Sequence, residues 1–281
     1  WTRLHDAGWL GSRLPSTAIT VNWELAEDDR FQRVVRKGQA QAVPQLDHSV
    51  HVEVDGLEAD RWYHYRFSVG GLRNDWQSPM GRTRTLPAAD ARVARWRLAY
   101  ASCQRWEHGF YAAWRHLVDD APDLVLFLGD YIYEYPGAAG AVRLSGTGWV
   151  STLEQYRARY ALHRSDADLR AAHACAPWFV IWDDHEVQND YAGASPGDSG
   201  PAVADFAQRR AWAYQAYYEN MPLPAQALTD GVAGLDARAE LRLYRSAPLG
   251  RLGRLHLLDT RQYRDAQACT RDGAPGSATV D

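Results

Sequence analysis

The sequence lacks an apolar run long enough to cross a bilayer, which takes about 20 consecutive residues. It also lacks clusters of basic residues, since lysine and arginine are dispersed over 281 residues that carry a net charge of −4. A stable nucleic-acid complex is not expected, because phosphate binding requires concentrated positive charge. Internal repeats and low-complexity tracts are absent from the sequence as well. These absences predict a globular chain with no membrane span.

Cysteine is scarce. Cys103, Cys175 and Cys269 are odd in number, so they cannot all pair within the chain, and none lies in a close-spaced zinc pattern such as CxxC. Cysteine usage therefore leaves the redox compartment open. The first residue is Trp1 rather than methionine, and we expect residues upstream of it, so the missing signal peptide is uninformative about export.

The first third of the chain is rich in β-forming residues. Apolar and polar residues alternate over 19–23, 48–54 and 62–69, with glycine or proline between these segments. Short alternating strands at this spacing predict an antiparallel β-sandwich. The stretch VDGLEADRWYHYRF at 54–67 resembles the fibronectin-type signature GL-x-P-x-x-x-Y-x-Y, with Ala59 in place of the proline.

The remaining residues alternate strand-like and helix-like segments, which predicts a mainly parallel sheet. We therefore expect two domains, a fibronectin/Ig-like β-sandwich at 1–88 and an α/β domain at 95–281. The fold class is α/β within the second domain and α+β overall. The predicted elements are strands at 96–103, 124–128 and 178–182, helices at 111–120, 152–163 and 207–220, and two strands within 241–260.

Two of these strands end in polar residues. The apolar run 124–128 stops at Gly129-Asp130, and WFVIW at 178–182 is followed by DDHE at 183–186. Parallel strands release their carboxyl ends at one edge of a sheet, where open α/β sheets bind ligands. An aspartate after a strand is more often a turn or helix-cap residue, but the second polar segment favours a site here.

The side chains near these strand ends are potential metal ligands. A carboxylate can bridge two cations, and a hydroxide shared between them is a nucleophile for hydrolysis. Phenolate from Tyr133 and thiolate from Cys103 require a strongly acidic cation such as Fe³⁺, whereas Asn and Asp oxygens suit Ca²⁺ or Mg²⁺. A lone cysteine is more often a buried small hydrophobe. The group is Cys103, Asp130, Tyr133, Asp184, His185 and Asn189.

Six ordered motifs resemble the alkaline phosphatase D (PhoD-like) family of metallophosphoesterases. The resemblance covers nearly the whole chain and implies a β-sandwich followed by an αββα metallophosphoesterase core. The GDxxY at 129–133 is also similar to the motif of purple acid phosphatases, with DDHE replacing their GNHE. The motifs are ASCQ at 101–104, LGDYIYEY at 128–135, YRARYALH at 156–163, WDDHEVQNDY at 182–191, AYYENMP at 216–222 and LLDTRQYRD at 257–265.

The resemblance implies an exported phosphomonoesterase or phosphodiesterase that uses Fe³⁺ and Ca²⁺ and acts on small-molecule phosphate esters through a metal-bound hydroxide. Cys103, Asp130 and Tyr133 would ligate iron, and Asp130 would bridge to calcium. Asn189 would ligate calcium. Asp184 and His185 would either ligate metal or contact the ligands without binding the metal themselves. The catalytic set is then Asp130, Asn189, His185 and one arginine.

That arginine is expected to hold phosphate oxygens, because a planar guanidinium matches them. Arg210 is the candidate and Arg209 its competitor, although both could belong to a solvated helix face. Asp259, Arg261 and Tyr263 belong to the last family motif, for which a structural role is one interpretation.

One family motif is missing from the sequence. Nothing after Asp265 resembles the GDxH that supplies the last iron ligand. We therefore expect a truncated catalytic domain that is inactive or poorly stable by itself. The alternative function is a non-enzymatic β-sandwich module fused to a degenerate metallophosphoesterase domain, and a weaker one is a nuclease. The family resemblance implies secretion or a periplasmic or cell-surface location. Oligomeric state cannot be read from the sequence.

Overall fold

The structure of the chain, a computed structural model, describes residues 1–5, 14–70, 76–146, 148–197, 199–202, 204–227 and 240–266. Antiparallel strands build the first part, and a parallel sheet with helices builds the second. The α+β class predicted from the sequence is therefore confirmed. No helix among these residues is long and apolar enough to span a membrane.

The described residues of the first part form seven strands. Strands β3, β2, β5 and β6 lie side by side, β7 also pairs with β5, and β1 pairs with β4. Alternate residues of the paired strands β2 and β5, including Val21 and Phe67, pack with Leu4, Ala42 and Val50 in the apolar core of this part. The strands are β1 (Thr2–Arg3), β2 (Ile19–Ala26), β3 (Val34–Ala42), β4 (Ser49–Val50), β5 (Trp62–Val69), β6 (Trp76–Gln77) and β7 (Gly81–Arg84).

Two local predictions in this part differ from the structure. The alternating segment 48–54 forms a strand only at Ser49–Val50. Strand β3 pairs along the whole of β2 but was not predicted, because its side chains are mostly exposed and polar and show no apolar alternation.

Tyr63, in the fibronectin-like signature, anchors the start of β5 to the turn before it. Its side chain is 2% exposed, and its hydroxyl accepts a hydrogen bond of 3.0 Å from the backbone nitrogen of Glu58. Such a bond to the backbone a few residues upstream is the tyrosine corner of fibronectin-like sandwiches. The corner therefore forms with Ala59 in place of the usual proline.

The second part has a three-stranded parallel sheet in the order β10-β9-β8. Helix α1 packs against α3, and α2 against α4. The elements are β8 (Leu98–Ala101), α1 (Ala112–Asp120), β9 (Leu124–Phe127), α2 (Leu153–Arg164), α3 (Ala167–Cys175), β10 (Trp178–Val180), α4 (Phe206–Asn220), and the antiparallel pair β11 (Arg245–Pro248) and β12 (Arg254–Leu257).

Strand β9 lies at the centre of this sheet. Leu124 and Val125 are fully buried and Phe127 is 1% exposed, as expected for a strand covered on both faces. Because β8, β9 and β10 are parallel, the residues that follow them emerge at one edge of the sheet. This edge carries the candidate site.

Candidate metal centre

The site is built on the turn that follows β9. Gly129 has a φ of +104° and Asp130 a φ of +58°, in the left-handed region that glycine adopts freely and aspartate tolerates. A β carbon at Gly129 would lie 2.4 Å from the backbone nitrogen of Asp183. Glycine therefore lets the segments after β9 and β10 touch, and this contact places Asp130 beside the DDHE segment.

The two carboxylate oxygens of Asp130 have different surroundings. Oδ2 accepts hydrogen bonds from Sγ of Cys103 at 3.3 Å and from the hydroxyl of Tyr133 at 3.4 Å. Oδ1 is buried and has no hydrogen-bond partner among the described residues. Burial, together with the charge of Asp184, raises the pKa of this carboxyl group against the opposing effect of His185. A buried oxygen without a donor is costly, and a bound cation would relieve that cost.

Cys103 and Tyr133 face this carboxylate as protonated groups. Desolvation raises the pKa of the Cys103 thiol, and burial followed by the charge of Asp130 raises the pKa of the Tyr133 phenol. Only a strongly acidic cation would remove both protons near neutral pH. The backbone nitrogen of Cys103 also donates to the carbonyl oxygen of Gly129 at 3.1 Å, which fastens the turn after β8 to the turn after β9.

Asp184 and His185 complete a compact group with Asp130. One potential ligand atom from each of the three lies within 4.8 Å of the other two, and all three residues are buried. Oδ2 of Asp184 accepts a hydrogen bond from the backbone nitrogen of Asp190 at 2.6 Å. Two carboxylates and one imidazole this close together can hold a metal ion.

Glu134 joins the turn after β9 to the segment after β10. Its side chain is fully buried. Oε1 accepts a hydrogen bond of 2.8 Å from the backbone nitrogen of Asn189, and Oε2 lies 2.8 Å from Nδ1 of His185. The sequence showed Glu134 only as part of the LGDYIYEY motif, and no signal there marked it as a site residue.

Glu186, in the segment after β10, binds back to the turn after β9. Its carboxylate is 1% exposed and accepts hydrogen bonds from the backbone nitrogens of Tyr131 at 2.6 Å and Asp183 at 2.9 Å. Burial, followed by the charge of Asp130, raises the pKa of Glu186 to about 8. The two turns are thus held together by buried carboxylates from both sides.

Asn189 is positioned mainly through its backbone, which donates to Glu134. Its side-chain amide lies nearer the surface, where Nδ2 donates to Oδ2 of Asp190 at 3.0 Å. Asn189 therefore lies on the same segment as Asp184 and His185, with its amide group at the outer side of the cluster.

Arg261 is an arginine beside the site that the sequence placed in the last family motif, with a structural role as one interpretation. Its guanidinium lies 2.6 Å from Oδ1 of Asp183, 3.6 Å from Oδ2 of Asp184 and 3.7 Å from Oδ1 of Asp190. It thus provides positive charge for three of the carboxylates that follow β10. The sequence signal for Arg261 was the LLDTRQYRD motif at 257–265. This motif lies at the end of β12, as DDHE lies after β10.

The two arginines of α4 have different surroundings. Arg209 is 1% exposed and donates to the hydroxyl of Tyr156 and to the carbonyl oxygen of Val150, each at 3.0 Å. Arg210 donates to the carbonyl oxygen of Gly193 at 2.8 Å, in the segment after the acidic cluster. These contacts favour Arg210 over Arg209 as the phosphate-binding candidate, which remains a prediction.

Arg105 is a further cation that the sequence did not single out. Its guanidinium lies 4.5 Å from the ring centre of Tyr135 and 5.7 Å from that of Tyr133. It also pairs with Glu107 at 3.4 Å. Because Arg105 follows Cys103 by two residues, it places positive charge beside the iron-ligand candidates.

Comparison with known proteins assigns the chain to a family. A model of the PhoD-like phosphatase matches residues 98–280, and a model of the PhoD-like phosphatase N-terminal domain matches residues 1–87. The chain belongs to the PhoD-like phosphatase family. It is 47% identical over 282 residues to alkaline phosphatase D of Bacillus subtilis (strain 168). The alignment covers 99% of this chain and 46% of that protein.

A solved structure of PhoD has the same fold as this PhoD-like chain. The two superpose with a TM-score of 0.86 at 48% identity, over 95% of this chain and 50% of the other. The chain thus spans about half the length of the relatives it matches.

The residues of this PhoD-like chain fit the metal dependence that the family implies. Oδ1 of Asp130 has no hydrogen-bond partner among the described residues, and Cys103 and Tyr133 contact the other oxygen of this carboxylate. The carboxylate groups with Asp184 and His185. The sequence predicts that no GDxH motif follows Asp265. Residues 267–281, which include Cys269, lie outside the described residues.

Proposed function

We propose that the chain is part of an enzyme that hydrolyses phosphate mono- or diesters of small molecules with the aid of metal ions. The observation that carries the proposal is the buried group of Asp130, Asp184 and His185, in which Oδ1 of Asp130 has no hydrogen-bond partner among the described residues. Family membership supports it, because the relative that matches 99% of the chain is an alkaline phosphatase.

We propose that the ions are Fe³⁺ and Ca²⁺. The thiol of Cys103 and the phenol of Tyr133 both contact Asp130 and suit Fe³⁺, with Asp130 shared between the ions. Asp184 and Asn189 offer oxygen atoms that suit Ca²⁺. When bound, such ions lower the pKa of water and neutralise phosphoryl charge.

The protein groups around the ions have separate tasks in this proposal. His185, buried against the ring of Tyr133 at 4.3 Å, holds or moves a proton at the imidazole. Arg210 orients phosphate oxygens with its guanidinium. Arg261 keeps the carboxylates after β10 in place through its three ion pairs.

We also propose the domain limits 1–88 and 95–281, and export from the cytoplasm. The separate matches of the two family models at 1–87 and 98–280 support the limits. The proposal of export is supported by the family resemblance.

The test combines metal analysis of the purified chain with two activity assays of the complete enzyme to which it belongs. We expect near-stoichiometric iron with calcium and a visible tyrosinate-to-iron band in the chain, and turnover of an aryl phosphate or a bis-aryl phosphate by the complete enzyme. Asp130→Asn should lose iron and turnover together. Asp168→Asn is the matched control, because Asp168 pairs with the exposed Arg115 on another face. Metal-free, colourless protein in which Asp130→Asn changes nothing would refute the proposal.

A further inference from the structure

The buried carboxylate of Glu134 faces His185 and a backbone amide. Its side chain is fully buried, and its carboxylate lies 2.8 Å from Nδ1 of His185 and 2.8 Å from the backbone nitrogen of Asn189. The nearby arginine, Arg159, donates to the backbone carbonyl oxygens of Tyr133 and Tyr135. Glu134 is therefore directed at the segment that carries two candidate site residues.

The contact with Nδ1 has a consequence for the other ring nitrogen. A carboxylate has no proton to donate, so Nδ1 of His185 must carry the hydrogen that lies between them. In a neutral imidazole, Nε2 is then the atom with a free lone pair. The ring is held in this orientation by Tyr133 on one side, at 4.3 Å between ring centres, and Tyr135 at 5.1 Å.

We propose that Glu134 is a positioning residue that fixes the tautomer of His185 and presents Nε2 to the site. The inference rests on the proposed function, because it assigns His185 a task there. Carboxylates behind metal-binding or catalytic imidazoles serve this purpose in many proteins, and their loss commonly weakens metal binding about 10- to 100-fold.

Two other buried glutamates show that burial alone does not give this role. The carboxylate of Glu186 accepts hydrogen bonds from the backbone nitrogens of Tyr131 and Asp183. Glu219, fully buried in α4, binds Arg157 and Gln215. Glu134 is the one of the three that contacts a candidate site side chain.

The decisive variant is Glu134→Gln, which keeps the size of the side chain. Its amide oxygen can still accept from the backbone nitrogen of Asn189, and its NH₂ group then faces Nδ1 of His185. A donor at that position requires Nδ1 to accept, so the proton must move to Nε2. The variant therefore reverses the tautomer while keeping the bond to Asn189.

The tautomer can be read by nitrogen NMR of ¹⁵N-histidine-labelled, metal-free protein, at a pH where titration shows the ring to be neutral. The signals of His185 are identified by their loss in His185→Asn. We expect the Nδ1-protonated form in the wild type and the Nε2-protonated form in Glu134→Gln. Glu219→Gln, the matched control, should lower the melting temperature without changing the tautomer.

A second readout concerns turnover. If Glu134 acts through His185, the double variant Glu134→Gln, His185→Asn should be no slower than His185→Asn alone. A wild type with Nε2 protonated, or an unchanged tautomer in Glu134→Gln, would overturn the proposal. The wild-type spectrum decides the matter even if the variant does not fold. A correct tautomer in a complete enzyme without turnover would refute the proposed function and leave this inference standing.

Discussion

Gly129 and Asp183 touch through their backbones at the place where two parallel strands end. The position that a β carbon would occupy on Gly129 is 2.4 Å from the nitrogen of Asp183, and Gly129 has a φ of +104°. Both features demand glycine. The whole site depends on this contact, because Asp130 and Asp184 are the next residue of each segment.

The first prediction follows from that contact. Gly129→Ala should destabilise the chain by about 1–2 kcal/mol for the left-handed backbone and about 1–3 kcal/mol more for the clash. Gly140→Ala is the matched control, since Gly140 has a φ of +83° but open space around its β carbon. Denaturant unfolding of both variants measures the difference. Equal losses would mean that the segments after β9 and β10 can separate at little cost.

The meeting of Asp130 and Asp184 could be predicted from the sequence. Each follows a short apolar run, and parallel strands release their ends at one edge, so that two local patterns suffice to place two carboxylates together. The ligand roles of Cys103 and Tyr133 came from family resemblance, and the structure places both side chains against Asp130.

The supporting residues could not be predicted in the same way. Glu134 meets His185 and Asn189 across 51 and 55 residues of sequence, and Arg261 meets Asp183 across 78. Nothing local in YIYEY distinguishes a buried glutamate from one on the outer face of a strand. Their partners are set by the packing of whole segments, which hydrophobic periodicity does not encode.

The second prediction concerns the metal-free stability of the site. Asp130→Asn removes a buried charge whose Oδ1 has no partner among the described residues. We therefore expect the free energy of unfolding of the metal-free variant to exceed that of the metal-free wild type by about 1 kcal/mol or more. Thermal unfolding in the presence of a chelator measures this. Asp168→Asn should change stability by less than about 0.5 kcal/mol. A clear loss of stability in Asp130→Asn would mean that the carboxylate supports the fold without metal.

The third prediction concerns the charge balance after β10. Arg261→Gln leaves Asp183, Asp184 and Asp190 without the guanidinium that lies within 3.7 Å of each. Unfolding free energy should fall by about 1–3 kcal/mol, since charged hydrogen bonds of partly buried groups are lost.

Added Ca²⁺ should restore part of this loss, because a cation can replace the missing positive charge. Arg115→Gln removes an exposed ion pair with Asp168 and should change the unfolding free energy little, independently of Ca²⁺. Unfolding curves with and without Ca²⁺ compare the two variants. Equal responses to Ca²⁺ would contradict the assigned role of Arg261.

The last prediction is acid destabilisation by two buried histidines that are not among the candidate metal ligands. Burial lowers the pKa of His51 to about 4 and that of His163 to about 3. His51 stacks on Tyr218 at 4.0 Å between ring centres, and Nδ1 of His163 lies 3.0 Å from the carbonyl oxygen of Arg159. Both rings are therefore neutral in the folded chain at pH values where the unfolded chain binds a proton.

An imidazole in the unfolded chain has a pKa of about 6.5, so its contribution is complete above that pH and is lost as the pH falls toward the folded value. Each histidine should then remove about 1.4 kcal/mol of stability per pH unit between about 6 and 4. Denaturant unfolding at a series of pH values measures the slope. His51→Gln and His163→Gln should each make it shallower, and a slope that neither variant changes would assign the acid sensitivity to other groups.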